Sequence, residues 1–119
     1  MSSYRILRIN ENIKQIISMI IMTEIEDPRI KNNIVTITKV DTNKDLKNAK
    51  VYFVCLNEDK KDEVFAGFNS AKGIIFSHLK KKLTIRYVPN LTFYYDRNLI
   101  ETNKVLADIR NLHIQEDNN

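Results

Sequence analysis

Asn69-Ser70-Ala71-Lys72-Gly73-Ile74-Ile75-Phe76 is the stretch whose reading decides the fold. Upstream of it Val64, Phe65 and Phe68 recur at helical spacing, and downstream Ile75, Phe76, Leu79 and Leu83 do the same. One helix through the whole region would carry Gly67, Ser70 and Gly73 in its interior. Each glycine there costs about 1 kcal/mol relative to alanine, and Gly/Ser pairs are where helices kink. The spacing therefore predicts two helices meeting at a sharp bend, with Ala71 and Gly73 small so that the backbones pass closely. On that expectation Gly73→Leu overpacks the bend and destabilises the protein by about 1–3 kcal/mol.

The flanking segments supply a sheet and a long helix. Ser2 or Ser3 can cap the first helix. Ile6, Ile9, Ile13, Ile16, Ile17 and Ile20 fall in one stripe at 3.6 residues per turn, which predicts a helix to about Glu24. Glu26-Asp27-Pro28-Arg29 stops it, because the residue before a proline is pushed out of the α region. Residues 34–41 are β-branched and read as a strand. Its alternation slips between Ile37 and Val40, which suggests a β-bulge. Asp41-Thr42-Asn43-Lys44-Asp45 is turn chemistry. Ala49, Val51, Phe53 and Cys55 then alternate with Lys50, Tyr52 and Val54 as a second strand, antiparallel to the first. Asn57 can cap the next helix, and Leu91, Phe93 and Tyr95 mark a third strand whose sense the sequence leaves open. Asn98 and Glu101 resemble a capping box, with Leu106, Ile109 and Leu112 as the inner face of a last helix. The order is α-β-β-α-kink-α-β-α: an α+β domain over residues 1–112, three strands with helices on one face, and a polar tail at 113–119.

The chain has 119 residues with a single cysteine, Cys55, which excludes an internal disulfide framework and suits a reducing compartment. The longest apolar run, near Ile16–Met22, falls short of the roughly 18 residues of a membrane span. A cytoplasmic location without membrane attachment is the expectation. The charge is unevenly placed. Residues 64–95 hold Lys72, Lys80, Lys81, Lys82 and Arg86 and no acid, against a net charge of −1 over the rest. Such a one-signed block suits a polyanion. The plainer alternative is that the lysine triplet complements the negative end of a helix. Arg5 and Arg8, which can reach solvent from the first helix, and Arg29 after it form a second candidate surface.

Several in-order signatures resemble a known family. They are Glu24-Ile25-Glu26-Asp27-Pro28-Arg29, Val35-Thr36-Ile37-Thr38-Lys39-Val40, Ala49-Lys50-Val51-Tyr52 and Ala71-Lys72-Gly73. They continue with Leu83, Arg86, Pro89, Leu91, Phe93 and Asp96 at fixed separations. Together they resemble ribosome-binding factor A, a bacterial assembly factor of the small ribosomal subunit, over residues 5 to about 112. The resemblance implies a type II KH-like fold in which an Ala-x-Gly bend replaces the Gly-x-x-Gly loop. Gly67 and Gly73 stand six positions apart, so that loop is absent. It also implies a monomeric, non-enzymatic factor without cofactor or metal that binds the small subunit and its 16S rRNA during late maturation. Lacking the loop, the domain is expected to bind unstructured oligonucleotides weakly and folded RNA more tightly.

Two other function classes are weighed against this. His78 and His113 lie far apart, no metal-spaced Cys/His set occurs, and no Gly-rich phosphate loop follows a strand, which argues against an enzyme. A generic KH module or an RNA-free protein adaptor is the rival binding reading. Tyr52 and Tyr94 sit outside the two apolar faces, where they suit a protein surface or stacking on bases.

Overall fold

The computed structural model of the chain describes residues 2–98. Helix α1 (Ser2–Thr23) is followed by a short helix α2 (Pro28–Lys31), strands β1 (Val35–Thr42) and β2 (Asn48–Cys55), helix α3 (Lys61–Lys82) and strand β3 (Asn90–Tyr95). The expected last helix and the 113–119 tail lie outside the described residues. The isoleucine stripe is the inner face of α1: Ile9, Ile13, Ile17 and Ile20 are buried. The sheet order is β1-β2-β3, with β1 antiparallel and β3 parallel to the central β2. A parallel neighbour needs a long crossover, and α3 supplies it. Phe53, Phe68 and Phe93 are fully buried where α3 meets the sheet, with the Phe68 and Phe93 rings stacked 4.6 Å apart.

The phase slip in β1 is a β-bulge: Ile37 pairs with Phe53 and Lys39 with Tyr52, leaving Thr38 as the extra residue. Cys55 is buried, its thiol lies 3.2 Å from the Asn57 carbonyl oxygen, and desolvation pushes its pKa up, as suits an inert core thiol. The Asn57 side chain accepts from the Asp59 N–H at 3.0 Å and caps a turn of 3₁₀ helix (Glu58–Lys60) that leads into α3.

The central stretch departs from expectation. α3 runs as one 22-residue helix through Ala71 and Gly73. Ala71 is buried, but a Cβ built on Gly73 meets nothing within 4 Å. Among the described residues no backbone passes close to Gly73, so they give the overpacking expected of Gly73→Leu no basis. The close approach lies two turns earlier. A Cβ on Gly67 would stand 3.0 Å from Ile30 Cγ1 and 3.2 Å from Arg29 Cβ.

The segment read as a helix stop explains that contact. Pro28 opens α2, and Asp27 caps it by accepting from the Arg29 N–H at 3.0 Å. The Arg29 guanidinium returns to the same carboxylate at 2.6 Å and donates to Ser70 Oγ at 3.1 Å. It holds the Asp27 carboxyl below the usual carboxylate range by hydrogen bonding. Ile30 is thereby pressed onto Gly67 of α3.

Substitution at the two glycines should diverge. Gly73→Ala should stabilise by about 0.5–1 kcal/mol, because alanine loses less backbone entropy in a helix and the position is open. Gly67→Leu should destabilise by about 1–3 kcal/mol through overpacking against Ile30. Thermal melts of the two variants beside the parent decide it, and equal melting temperatures would refute the assignment of the close approach to Gly67.

Candidate nucleic-acid interface

One end of the protein gathers cations from four separate segments. Arg5 comes from the first turns of α1, Lys47 from the β1–β2 connection, Lys72 from α3, and Arg86 from the loop between α3 and β3. Arg5, Lys47 and Arg86 line a cleft of about 480 Å³. Lys47 and Lys72 line an adjoining cleft of about 250 Å³, completed by Phe76, Val88, Pro89 and the start of β3. Lys47 and Val88 belong to both, so the two clefts adjoin. Among the described residues, Asp45 is the one acid lining them.

Local structure fixes each contributor. Leu46 adopts a left-handed backbone (φ 61°), and the Asp45 carboxylate accepts the Lys47 N–H at 3.0 Å. The Lys47 carbonyl accepts from the Asn90 N–H at 2.8 Å, which ties the connection to the start of β3. The Lys47 side chain is left exposed. Arg86 is exposed with its guanidinium 5.3 Å from the centroid of the Tyr87 ring, which is itself 72% exposed. A planar guanidinium beside an open ring can meet both a phosphate and a base.

The sequence-predicted residues do not form one surface. Arg5, Lys72 and Arg86 come together at this end. Arg8 is exposed on α1 but lines neither cleft. Arg29 is engaged by Asp27 and Ser70, contacts that seat α2 on α3. Lys80, Lys81 and Lys82 form the last turn of α3, where cations complement the helix end. Lys82 Nζ lies 3.6 Å from Met19 Sδ. Met19 is fourteen residues along α1 from Arg5, about 21 Å at 1.5 Å per residue. None of the three lysines lines either cleft. Lys47 was missed by sequence reasoning, because its local segment is charge-balanced. Only the parallel pairing of Asn48 with Asn90 carries it to the cleft.

The comparisons with known proteins agree with this architecture. The family model described as ribosome-binding factor A matches residues 5–109. A ribosome-binding factor A of Staphylococcus epidermidis is 38% identical over 95% of this chain and 97% of its own length. The Staphylococcus carnosus protein of that description is 40% identical with the same coverage. The solution structure of a Thermotoga maritima putative ribosome binding factor A superposes with a TM-score of 0.68 at 29% identity, covering 77% of this chain and 87% of that one. A Thermus thermophilus ribosome binding factor A, fitted into a cryo-electron microscopy map of a 30S complex, superposes with a TM-score of 0.58 at 23% identity, covering 72% and 89%. The α+β fold is the KH-like fold of these structures. With the match spanning nearly the whole chain, this protein belongs to the ribosome-binding factor A family.

Proposed function

We propose that this chain is a non-enzymatic, cytoplasmic maturation factor that binds the small (30S) ribosomal subunit and its 16S rRNA during late assembly and rRNA processing. The observation that carries the reading is the convergence of Arg5, Lys47, Lys72 and Arg86 on two adjoining clefts where Asp45 is the one acid among the described lining residues. Four cations drawn from four segments by the tertiary fold make a phosphate-binding surface that a single helix end does not. Binding releases condensed counterions from the RNA backbone, and this electrostatic term dominates affinity. Arginine adds bidentate geometry to the phosphate contact, while lysine acts as a point charge. The family membership and the 30S complex of the Thermus thermophilus relative support the small subunit as the partner.

Co-sedimentation with separated subunits tests the reading. The protein should pellet with small subunits at low salt, leave them as salt rises, and stay in the supernatant with large subunits. Equal retention on both subunits, or retention indifferent to salt, would favour a generic module or a protein adaptor instead.

A further inference from the structure

The face of the sheet that none of the described helices covers carries a second arrangement, away from the basic clefts. Tyr52 of β2 and Tyr94 of β3 are register partners, and their rings stack with centroids 5.6 Å apart at 30°. Tyr94 is 41% exposed and Tyr52 half-buried. The β1 bulge sets Thr38 and Lys39 together opposite Tyr52, and the Lys39 ammonium lies 5.8 Å from the Tyr52 ring centroid. Without the bulge, strict alternation would turn position 39 to the face of Val35 and Ile37. The extra residue is what brings a cation to the ring, and bulges commonly re-aim a side chain beside a functional site.

On the other side of the pair, Tyr52 and Tyr94 line a cleft of about 430 Å³ that also holds Phe65, Tyr95, Lys61 and Arg97. Cations thus stand at both ends of the aromatic row. Acids are near as well. Asp62 also lines the cleft, Asp96 accepts the Thr38 hydroxyl at 2.6 Å, and Asp41 is the register partner of Lys50. Planar rings flanked by ammonium and guanidinium groups fit a planar base whose neighbouring phosphates are anionic.

We propose that the Tyr52–Tyr94 row is a stacking platform for an unpaired base of RNA, with Lys39 on one side and Lys61 and Arg97 on the other taking its flanking phosphates. It rests on the reading of the chain as an RNA-binding factor and adds a second contact of different chemistry. The basic clefts would hold backbone, whereas the row would select unpaired nucleotides.

The test uses the full chain and two RNA hairpins with identical stems, one with an unpaired five-nucleotide loop and one with the same loop abasic. The phosphates are equal in number, so the affinity ratio reports stacking alone. The parent should prefer the base-bearing loop by about 5- to 150-fold, the range for one stacked base. Tyr94→Phe should keep that ratio, and Tyr94→Leu should bring it towards one without changing the salt dependence. A ratio near one in the parent, or a ratio untouched in folded Tyr94→Leu and Tyr52→Leu variants, overturns the proposal. Weaker binding of Tyr94→Leu to intact small subunits with a hairpin ratio near one also overturns it, and assigns the face to a ribosomal protein. Should the leucine variants fail to fold, ultraviolet cross-linking of the unaltered protein to the looped hairpin replaces them. Adducts on Tyr52 or Tyr94 support the platform, and adducts only elsewhere refute it. A parent that binds neither hairpin nor small subunit brings down the underlying RNA reading itself.

Discussion

Phe68→Ala is expected to lower the unfolding free energy by about 3–5 kcal/mol, the range for removing a fully buried phenylalanine. Phe68 is 0% exposed at the contact between α3 and the sheet. Its ring stacks on Phe93 at 4.6 Å and meets Phe53 at 5.1 Å in a tilted arrangement. Loss of the ring removes both contacts and leaves a cavity that the surrounding structure closes only in part. Domains of this size have only about 5–15 kcal/mol in total, so the variant should be close to unfolding. Urea titration of parent and variant gives the difference. A loss below about 1 kcal/mol would show that α3 is not anchored to the sheet through Phe68. Phe65→Ala is the internal comparison: Phe65 is 41% exposed, so the same truncation there should cost much less.

Where one periodicity rules, the sequence is legible. The isoleucine stripe of α1, the alternation in β2 and the bulge in β1 all follow from side-chain period, and each is present in the structure. The division into two helices at Ala71–Gly73 failed for a physical reason. Helix propensity is a weak local term, and tertiary packing of Val64, Phe68, Ala71, Ile75 and Leu79 on the core carries α3 unbroken through its glycines. Glycine marks a close approach in this protein, but at Gly67, because α2 lies there. A four-residue helix opened by Asp27-Pro28 leaves too short a pattern to read as more than a stop.

The site was legible in its chemistry and not in its geometry. An acid-free block of sequence suits a polyanion, yet one-dimensional clustering joins Lys80–Lys82 to Arg86, of which only Arg86 lines the clefts. The same clustering overlooks Lys47, whose place depends on β2 and β3 running parallel. The sense of that pairing is set by the crossover through α3, information that no local window contains.

The most direct test of the phosphate-binding account compares two variants for small-subunit binding across a salt series. One replaces Arg5, Lys47, Lys72 and Arg86 by glutamine, and the other replaces Lys80, Lys81 and Lys82. Glutamine is a comparable helix former, so α1 and α3 persist in both. The triplet variant loses only the favourable interaction with the end of α3, about 0.3–1 kcal/mol per charge. Each phosphate contact removed should lower the slope of log affinity against log salt by about 0.7–0.9, or about 3 units for the four clefted cations. The account predicts that fall for the first variant, with affinity lost most at low salt, and a slope within about one unit of the parent for the second. A folded first variant with the affinity and slope of the parent, or a full loss of slope in the triplet variant instead, would contradict it.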